Sequence, residues 1–473
     1  MSALQPCHAP AAGRFDIARH HALIDAGRYV TALRAIQPLL AADPANPALL
    51  EAASDCYWHL ERRDRSVHIL RTLHEHWPAR QSAALRFAAR LATLGAQDEA
   101  RAVFEDILAR DPTCSAAVLG LCGLRRPAPD SPETQLLREM STDDSRPAAE
   151  RAALHTALAK VLRPHDAEAA FVHFTTSNSL LAGGHDPDKI DRRVASQRRC
   201  YTVPAPQPPH AAPKLAFVVG PARSGTTLLE TMLLQHPEIA SIGESPALQT
   251  AFYACRAASN DPAAIPHVHD WTAGASEALI DQGRTTFMAQ ARLQTPPPEP
   301  VVLDKMPTDS FYLGFARMIL PGSRAIFMLR HPLDVGLSMF TTHFAERHPY
   351  TRQLAWIGHM LRRTYDSLED YIPKLGPDLR LQSYRALVTQ PEAQLRDILD
   401  FLGLPWEPRC LMPEASDTAI LTASSLQVRQ GLNTDGLGKW RQYEAELAPL
   451  IAALGGWDWI AQWQARDDAL QSA

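Results

Sequence analysis

The sequence has little of what marks several protein classes. Its apolar runs are short, Leu215–Val219 being typical, whereas a membrane span needs roughly 20 apolar residues, so no transmembrane helix is expected. Cysteine is scarce: seven scattered residues, an odd number, with no CxxC pair. HExxH is also absent, His74-Glu75-His76 being too tightly spaced to imitate it. A disulfide framework or structural zinc is therefore not expected, and a reducing cytoplasm fits this cysteine usage. The N-terminal stretch MSALQPCHAPAAGRFD lacks a basic start followed by an apolar segment, so it does not read as a secretory signal. Charge of one sign is lacking too: 47 basic against 52 acidic residues leave a net charge of −5. Nothing in that balance draws the whole chain to nucleic acid.

What is present is an ordinary globular composition, 46% hydrophobic and 21% charged over 473 residues. That length predicts two or three domains. The first half carries a repeat. Pro44, Pro78 and Pro112 are spaced by 34 residues, two of them in an Asp-Pro pair, and Gly27 and Gly95 stand 68 apart. Small residues recur in step at Ala32, Ser66 and Ala100, followed by apolar Ile36, Leu70 and Phe104 and then Leu39, Leu73 and Ile107. This period resembles the tetratricopeptide repeat, a helix pair in which a small residue allows close approach and a proline opens the next helix. Helical patterns at Ala149–Val161 and Ala167–Leu181 continue as a cap. An all-α repeat domain over 1–200 is expected. It could bind a protein partner, self-associate or brace its neighbour.

Residues 203–213, VPAPQPPHAAP, carry five prolines and read as a stiff linker within 201–213. Beyond it the texture changes. Leu215–Val219, Val301–Leu303, Ala325–Leu329 and Leu379–Leu381 read as buried parallel strands separated by helical stretches. An α/β domain with a parallel sheet flanked by helices is expected over 214–473.

The chemical signal is LAFVVGPARSGTTLL, residues 215–229. A strand runs into a glycine-containing loop and then into a helix, where converging backbone N–H groups hold phosphate oxygens. Gly225 permits close approach, Ser224, Thr226 and Thr227 add hydroxyls, and Arg223 adds a charged donor. Gly220 and Gly225 keep the spacing of the nucleoside-triphosphatase P-loop, GxxxxGK[ST], but Thr226 stands where that loop has its lysine. The loop therefore suits a 5′-phosphate without γ-phosphoryl transfer.

PARSGTTLL resembles the 5′-phosphosulfate loop of sulfotransferases that use 3′-phosphoadenosine-5′-phosphosulfate (PAPS). LRHPLDVGLSMF (Leu329–Phe340) is similar to that family's 3′-phosphate motif, which implies cofactor contacts from Arg330 and Ser338. LQSYRALVTQPEAQLRDILDFLG resembles the segment whose tyrosine, here Tyr384, contacts adenine, and ASSLQVRQGLNTDGLGKW resembles the loop that folds over the cofactor and ends at Lys439-Trp440. The nearest patterns are the protein-tyrosine sulfotransferases and the bacterial tetratricopeptide-repeat sulfotransferases. The resemblance covers residues 214–473. It implies Glu244 as catalytic base, Lys305 in a Lys-x-Pro segment and Arg223 as charge neutralisers, and Ser424 as an aid to the sulfonate. A lysine at the end of a buried strand also points where α/β sheets bind ligands.

There are departures. The tyrosine-sulfating relatives have two adjacent acids where this chain has Glu244-Ser245, leaving one carboxylate at that position, and a second arginine of theirs falls at Thr342. No metal is implied. The acceptor is a hydroxyl on a peptide tyrosine, glycan, lipid or small molecule. A histidine base, with His343 as candidate, a P-loop kinase or NTPase, and an inactive scaffold are the rival readings.

Overall fold

The structure, a computed structural model, describes residues 15–25, 28–60, 62–201, 214–259, 268–292, 301–344, 348–413 and 432–471. The chain divides into two compact units, residues 1–162 and 163–473. Residues 202–213 of the expected linker lie outside the described residues.

The first unit is helical: α1 (Ile17–Asp25), α2 (Tyr29–Ala42), α3 (Pro47–His59), α4 (Arg63–His76), α5 (Gln81–Leu94), α6 (Gln97–Arg110), α7 (Ser115–Leu124), α8 (Pro132–Thr142) and α9 (Ala148–Leu162). Helices α2, α4 and α6 begin at residues 29, 63 and 97, and α3, α5 and α7 at 47, 81 and 115, both series stepping by 34 residues. The small column Ala32, Ser66 and Ala100 is fully buried, so one helix of each pair lies close against its neighbour. Gly95 closes α5 in the left-handed conformation at φ 89°, where a Cβ would be strained. The prolines act differently from the expectation. Pro44, Pro78 and Pro112 sit in the turns after α2, α4 and α6, and the following helices start three residues later. The cap of α3 is Asn46, which accepts from the Ala48 and Leu49 amides.

The second unit begins with α10 (Ala167–Ser179) and α11 (Pro187–Cys200), which the sequence groups with the repeats. Their buried faces meet later parts of the same unit. Asn178 donates to the Phe340 carbonyl at 2.9 Å, the Ser367 hydroxyl donates to Gln197 Oε1 at 2.7 Å, and Phe171 stacks on Phe340 at 5.4 Å. An amphipathic stripe predicts a helix but not the partner that covers it.

The sheet comprises β1 (Lys214–Val219), β2 (Ile239–Ser241), β3 (Val301–Asp304), β4 (Arg324–Leu329) and β5 (Leu379–Ser383), all parallel, in the order β2-β3-β1-β4-β5. Between them run α12 (Thr226–Leu233), α13 (Ala247–Ala258), α14 (Glu277–Arg292), α15 (Leu313–Ile319), α16 (Pro332–Phe340) and α17 (Leu354–Leu375); α18 (Tyr384–Thr389) and α19 (Pro391–Leu402) follow β5. Val218, Leu303, Ile326, Leu229, Met232, Leu233, Ile398 and Leu399 form one buried layer between sheet and helices, each such side chain contributing roughly 1.5–3 kcal/mol. Both faces of β1 are covered, which explains its unbroken apolar run. From β1 the chain goes to β2 on one side, and from β3 it crosses over β1 to β4 on the other. The order reverses at β1, and ligands of open α/β sheets bind at such a crevice beyond the strand ends. Among the described residues, no helix is long and apolar enough to cross a membrane.

Candidate active site

Each strand of the sheet ends in one of the residues singled out by sequence. β1 leads to the loop 220–225, β2 to Glu244, β3 to Lys305, β4 to Arg330 and β5 to Tyr384. A parallel sheet places all these ends on one side.

The loop is tightly shaped. Gly225 caps α12 at φ 107°, and a Cβ there would lie 2.5 Å from the Tyr384 ring. Arg223 has φ 71° and is the only non-glycine residue with positive φ among the described residues. That conformation costs about 1–3 kcal/mol and tends to persist at functional sites. Arg223 Nε donates to Ser338 Oγ at 3.0 Å, and Arg330 Nη1 donates to the Arg223 carbonyl at 2.8 Å. The Arg330 guanidinium also lies over the Tyr384 ring, 4.5 Å from its centre. Loop, Arg330, the α16 serine and the tyrosine are thus one cluster. Burial, followed by the neighbouring Arg330, pushes the Arg223 guanidinium down to about 10.

Two buried polar atoms here have no hydrogen-bond partner among the described residues: Ser224 Oγ and Arg330 Nε. Such orphans are costly unless a ligand or water meets them. A hydroxyl and a guanidinium N–H beside a helix N-terminus suit phosphate oxygens, so the donor set fits a nucleotide carrying phosphate groups. Thr226 and Thr227, both buried, open α12. Thr342, at the place of the second arginine, turns its hydroxyl back to the Ser338 carbonyl at 2.6 Å.

The C-terminal strap is held by the turn after β4. Asp334 accepts from the Gly438 amide at 2.7 Å and the Trp440 amide at 3.2 Å. His331 stacks on Trp440 at 5.0 Å, and Arg330 Nη2 donates to the Gly436 carbonyl. Lys439 lies between these anchored residues. Partial burial and then Arg163 push its ammonium down, Asp435 opposes them, and Arg330 pushes down further. Ser424 lies outside the described residues.

On the other side of the loop, the β2–β3 ladder extends past β2. Ile242 donates to the Leu303 carbonyl at 2.9 Å and the Lys305 amide to the Gly243 carbonyl at 3.0 Å. This brings Lys305 Nζ to 2.7 Å from Glu244 Oε1. Lys305 is 1% exposed, whereas the Glu244 side chain is 45% exposed. Ser245 is fully buried, its hydroxyl accepting from the Ala247 amide at 3.2 Å. Of the Glu-Ser pair, only the glutamate faces the crevice. His343 lies beyond α16 on the exposed surface.

Glu244 is the one carboxylate of its own segment, but α12 brings a second to Lys305 that the sequence reading missed. Glu230 Oε2 lies 3.5 Å from Lys305 Nζ, and its other oxygen accepts from the Ser241 hydroxyl. The signal was an acid in the otherwise apolar helix TTLLETML. Asp334 was visible in RHPLD but not as the anchor of a distant strap. Asp304 and Asp309, both buried, are pushed up: Asp304 by burial, then Asp309 and Glu230; Asp309 by burial, to about 7, with Gln249 donating to it at 2.9 Å. Among the described residues, no group of three or more His, Cys, Asp or Glu is gathered that could hold a metal ion.

Loop, strap and strand ends gather on one side of an α/β domain, with donors suited to an anionic ligand. Residues 215–408 match the model of the sulfotransferase family. An uncharacterized protein of Aquifex aeolicus (strain VF5) is 27% identical over 406 residues, covering 82% of this chain and 52% of that protein. The chain thus spans about half the length of that relative. Protein-tyrosine sulfotransferase 1 of Danio rerio is 24% identical over 260 residues, covering 51% of this chain and 72% of the relative. Among solved structures, the sulfotransferase domain of the Synechococcus PCC 7002 olefin synthase is similar at 22% identity, with a TM-score of 0.36, covering 51% of this chain and 90% of that domain.

Proposed function

We propose that the second unit moves a sulfuryl group from PAPS to a hydroxyl acceptor, with Glu244 as base. The observation that carries this reading is the bond from Arg330 to the Arg223 carbonyl. It joins the residues suited to a 3′-phosphate with those suited to a 5′-phosphosulfate in one crevice. Arg330, Ser338 and Lys439 would hold the 3′-phosphate, the loop 223–227 the 5′ end, and Tyr384 the adenine. PAPS, when bound, supplies an activated sulfuryl group with its own leaving group.

The chain's own residues have three tasks. Glu244, at the solvent edge, accepts the acceptor's proton. Lys305 and Arg223 present fixed positive charge where negative charge grows. The loop and strap hold the donor in line with the acceptor. The similarity to protein-tyrosine sulfotransferases supports a phenolic hydroxyl as acceptor, without excluding glycan, lipid or small-molecule hydroxyls. The first unit is read as a tetratricopeptide-type arm for a protein partner or for self-association.

The test is single-turnover transfer from labelled PAPS to a tyrosine peptide and to 4-nitrophenol, beside calorimetric titration of adenosine 3′,5′-bisphosphate. Glu244→Gln is expected to lose about 10²–10⁴-fold in transfer while still binding the bisphosphate. Undiminished transfer would remove Glu244 from the role of base.

A further inference from the structure

Lys305 is an almost fully buried ammonium between two carboxylates of unlike character. A buried ammonium stays charged only beside an anion. Glu244 is the more open of the two: it follows a short strand and its side chain is 45% exposed. Glu230 is fixed by position. Its side chain is 11% exposed, it sits in the second turn of α12, and Ser241 holds its other oxygen. Four residues from the start of α12, Glu230 is about 6 Å along the axis from the phosphate loop.

The proposed reaction asks Glu244 to become neutral as Lys305 must stay charged. One carboxylate cannot be both the base and the lasting counter-ion. We infer that Glu230 is a positioning residue: it is the permanent counter-charge that holds Lys305 aimed into the crevice and leaves Glu244 free to take a proton.

This deepens the sulfuryl-transfer reading and rests on it. The groups facing Glu230 are Lys305 and Ser241, with Glu244 and buried Asp304 farther off. Burial raises the Glu230 carboxyl, Lys305 and the Ser241 hydroxyl oppose that, and Glu244 raises it further. With Glu230 neutral, Lys305 would pair with Glu244 alone and bind its carboxylate form more firmly. One negative charge fewer would also stand near the donor's 5′ phosphate.

A structural role alone would not produce that pair of effects. Glu230→Gln keeps the size of the side chain and an acceptor for Ser241. The probe is adenosine 3′,5′-bisphosphate, titrated between pH 5 and 8 in buffers of different ionisation enthalpy to count protons taken up. The expected result is binding about two- to fivefold tighter than wild type, from loss of a like charge, with proton uptake moved to lower pH. In Glu230→Gln combined with Glu244→Gln, this uptake should disappear. Weaker binding with an unmoved uptake profile would overturn the inference and leave Glu230 a packing residue. Should Glu230→Gln fail to fold, Glu230→Asp carries the test: it keeps the charge, so the uptake profile should stay, and a moved profile would overturn the inference. If wild type does not bind the bisphosphate at all, the donor reading itself falls, whatever Glu230 does.

Discussion

Two arginines, buried Arg90 in one unit and half-buried Arg223 in the other, show opposite uses of the same side chain. In the helical unit, Arg90 donates to Asp55, Ser54 and Ser66 and lies over Trp58. Burial pushes its guanidinium down and Asp55 pushes it back up. In the loop after β1, Arg223 is also pushed down by burial, but its next neighbour, Arg330, pushes it down further. A guanidinium answered by a carboxylate of its own chain holds a fold together. Two guanidinium groups brought side by side, next to a buried hydroxyl with no partner among the described residues, suit an anion from outside, as the proposed donor would supply. The same contrast runs through the acids. Asp55 and Glu51 meet arginines, whereas both oxygens of buried Asp304 are without hydrogen-bond partners among the described residues.

The sharpest way to break this comparison is to remove each arginine. Arg90→Ala should destabilise the helical unit by about 3–5 kcal/mol, because it strands Asp55, while nucleotide affinity stays unchanged. Urea unfolding and calorimetry on the same variant check both halves of that statement. Arg330→Ala should do the reverse. Losing its charge-assisted bonds is expected to weaken adenosine 3′,5′-bisphosphate binding by about 1.5–3 kcal/mol, roughly 10- to 150-fold, with a smaller effect on unfolding. If both variants lost stability alike and neither lost affinity, the contrast would be false.

A smaller effect tests the acids. Asp309 is pushed up to about 7 by burial, so the native state holds its proton more tightly than the unfolded chain does. Stability should therefore fall as pH rises from about 4 through 7. Asp309→Asn can still accept from Gln249 and removes that loss. It is expected to exceed wild type at pH 8 by on the order of 1–2 kcal/mol, the gap closing toward pH 4, as melting temperatures at several pH values would show.

Much of the frame was legible in sequence because its causes are local. Unbroken apolar runs marked β1, β3 and β4, the alternation Leu379-Arg380-Leu381 marked β5, and the 34-residue step marked the helix pairs. The loop was legible because glycine and hydroxyl residues sit in one short string. What was not legible depends on contacts far apart in the chain. Nothing in α10 and α11 says that their apolar faces meet Phe340 and the region of Ser367. Nothing near Glu230 names Lys305 as its partner, and nothing near Asp334 names the amides of Gly438 and Trp440. The turn prolines were misplaced because a proline serves equally well in the turn before a helix and at its first position.

The central claim is that the crevice beyond β1 and β4 grips a nucleotide with phosphates at both 3′ and 5′ positions. Calorimetric titration of the wild-type chain with adenosine 3′,5′-bisphosphate and, separately, with ATP and magnesium tests it most directly. The account predicts saturable binding of the bisphosphate that Arg330→Ala weakens, and no comparable binding of ATP. Tight ATP binding with indifference to the bisphosphate would contradict it.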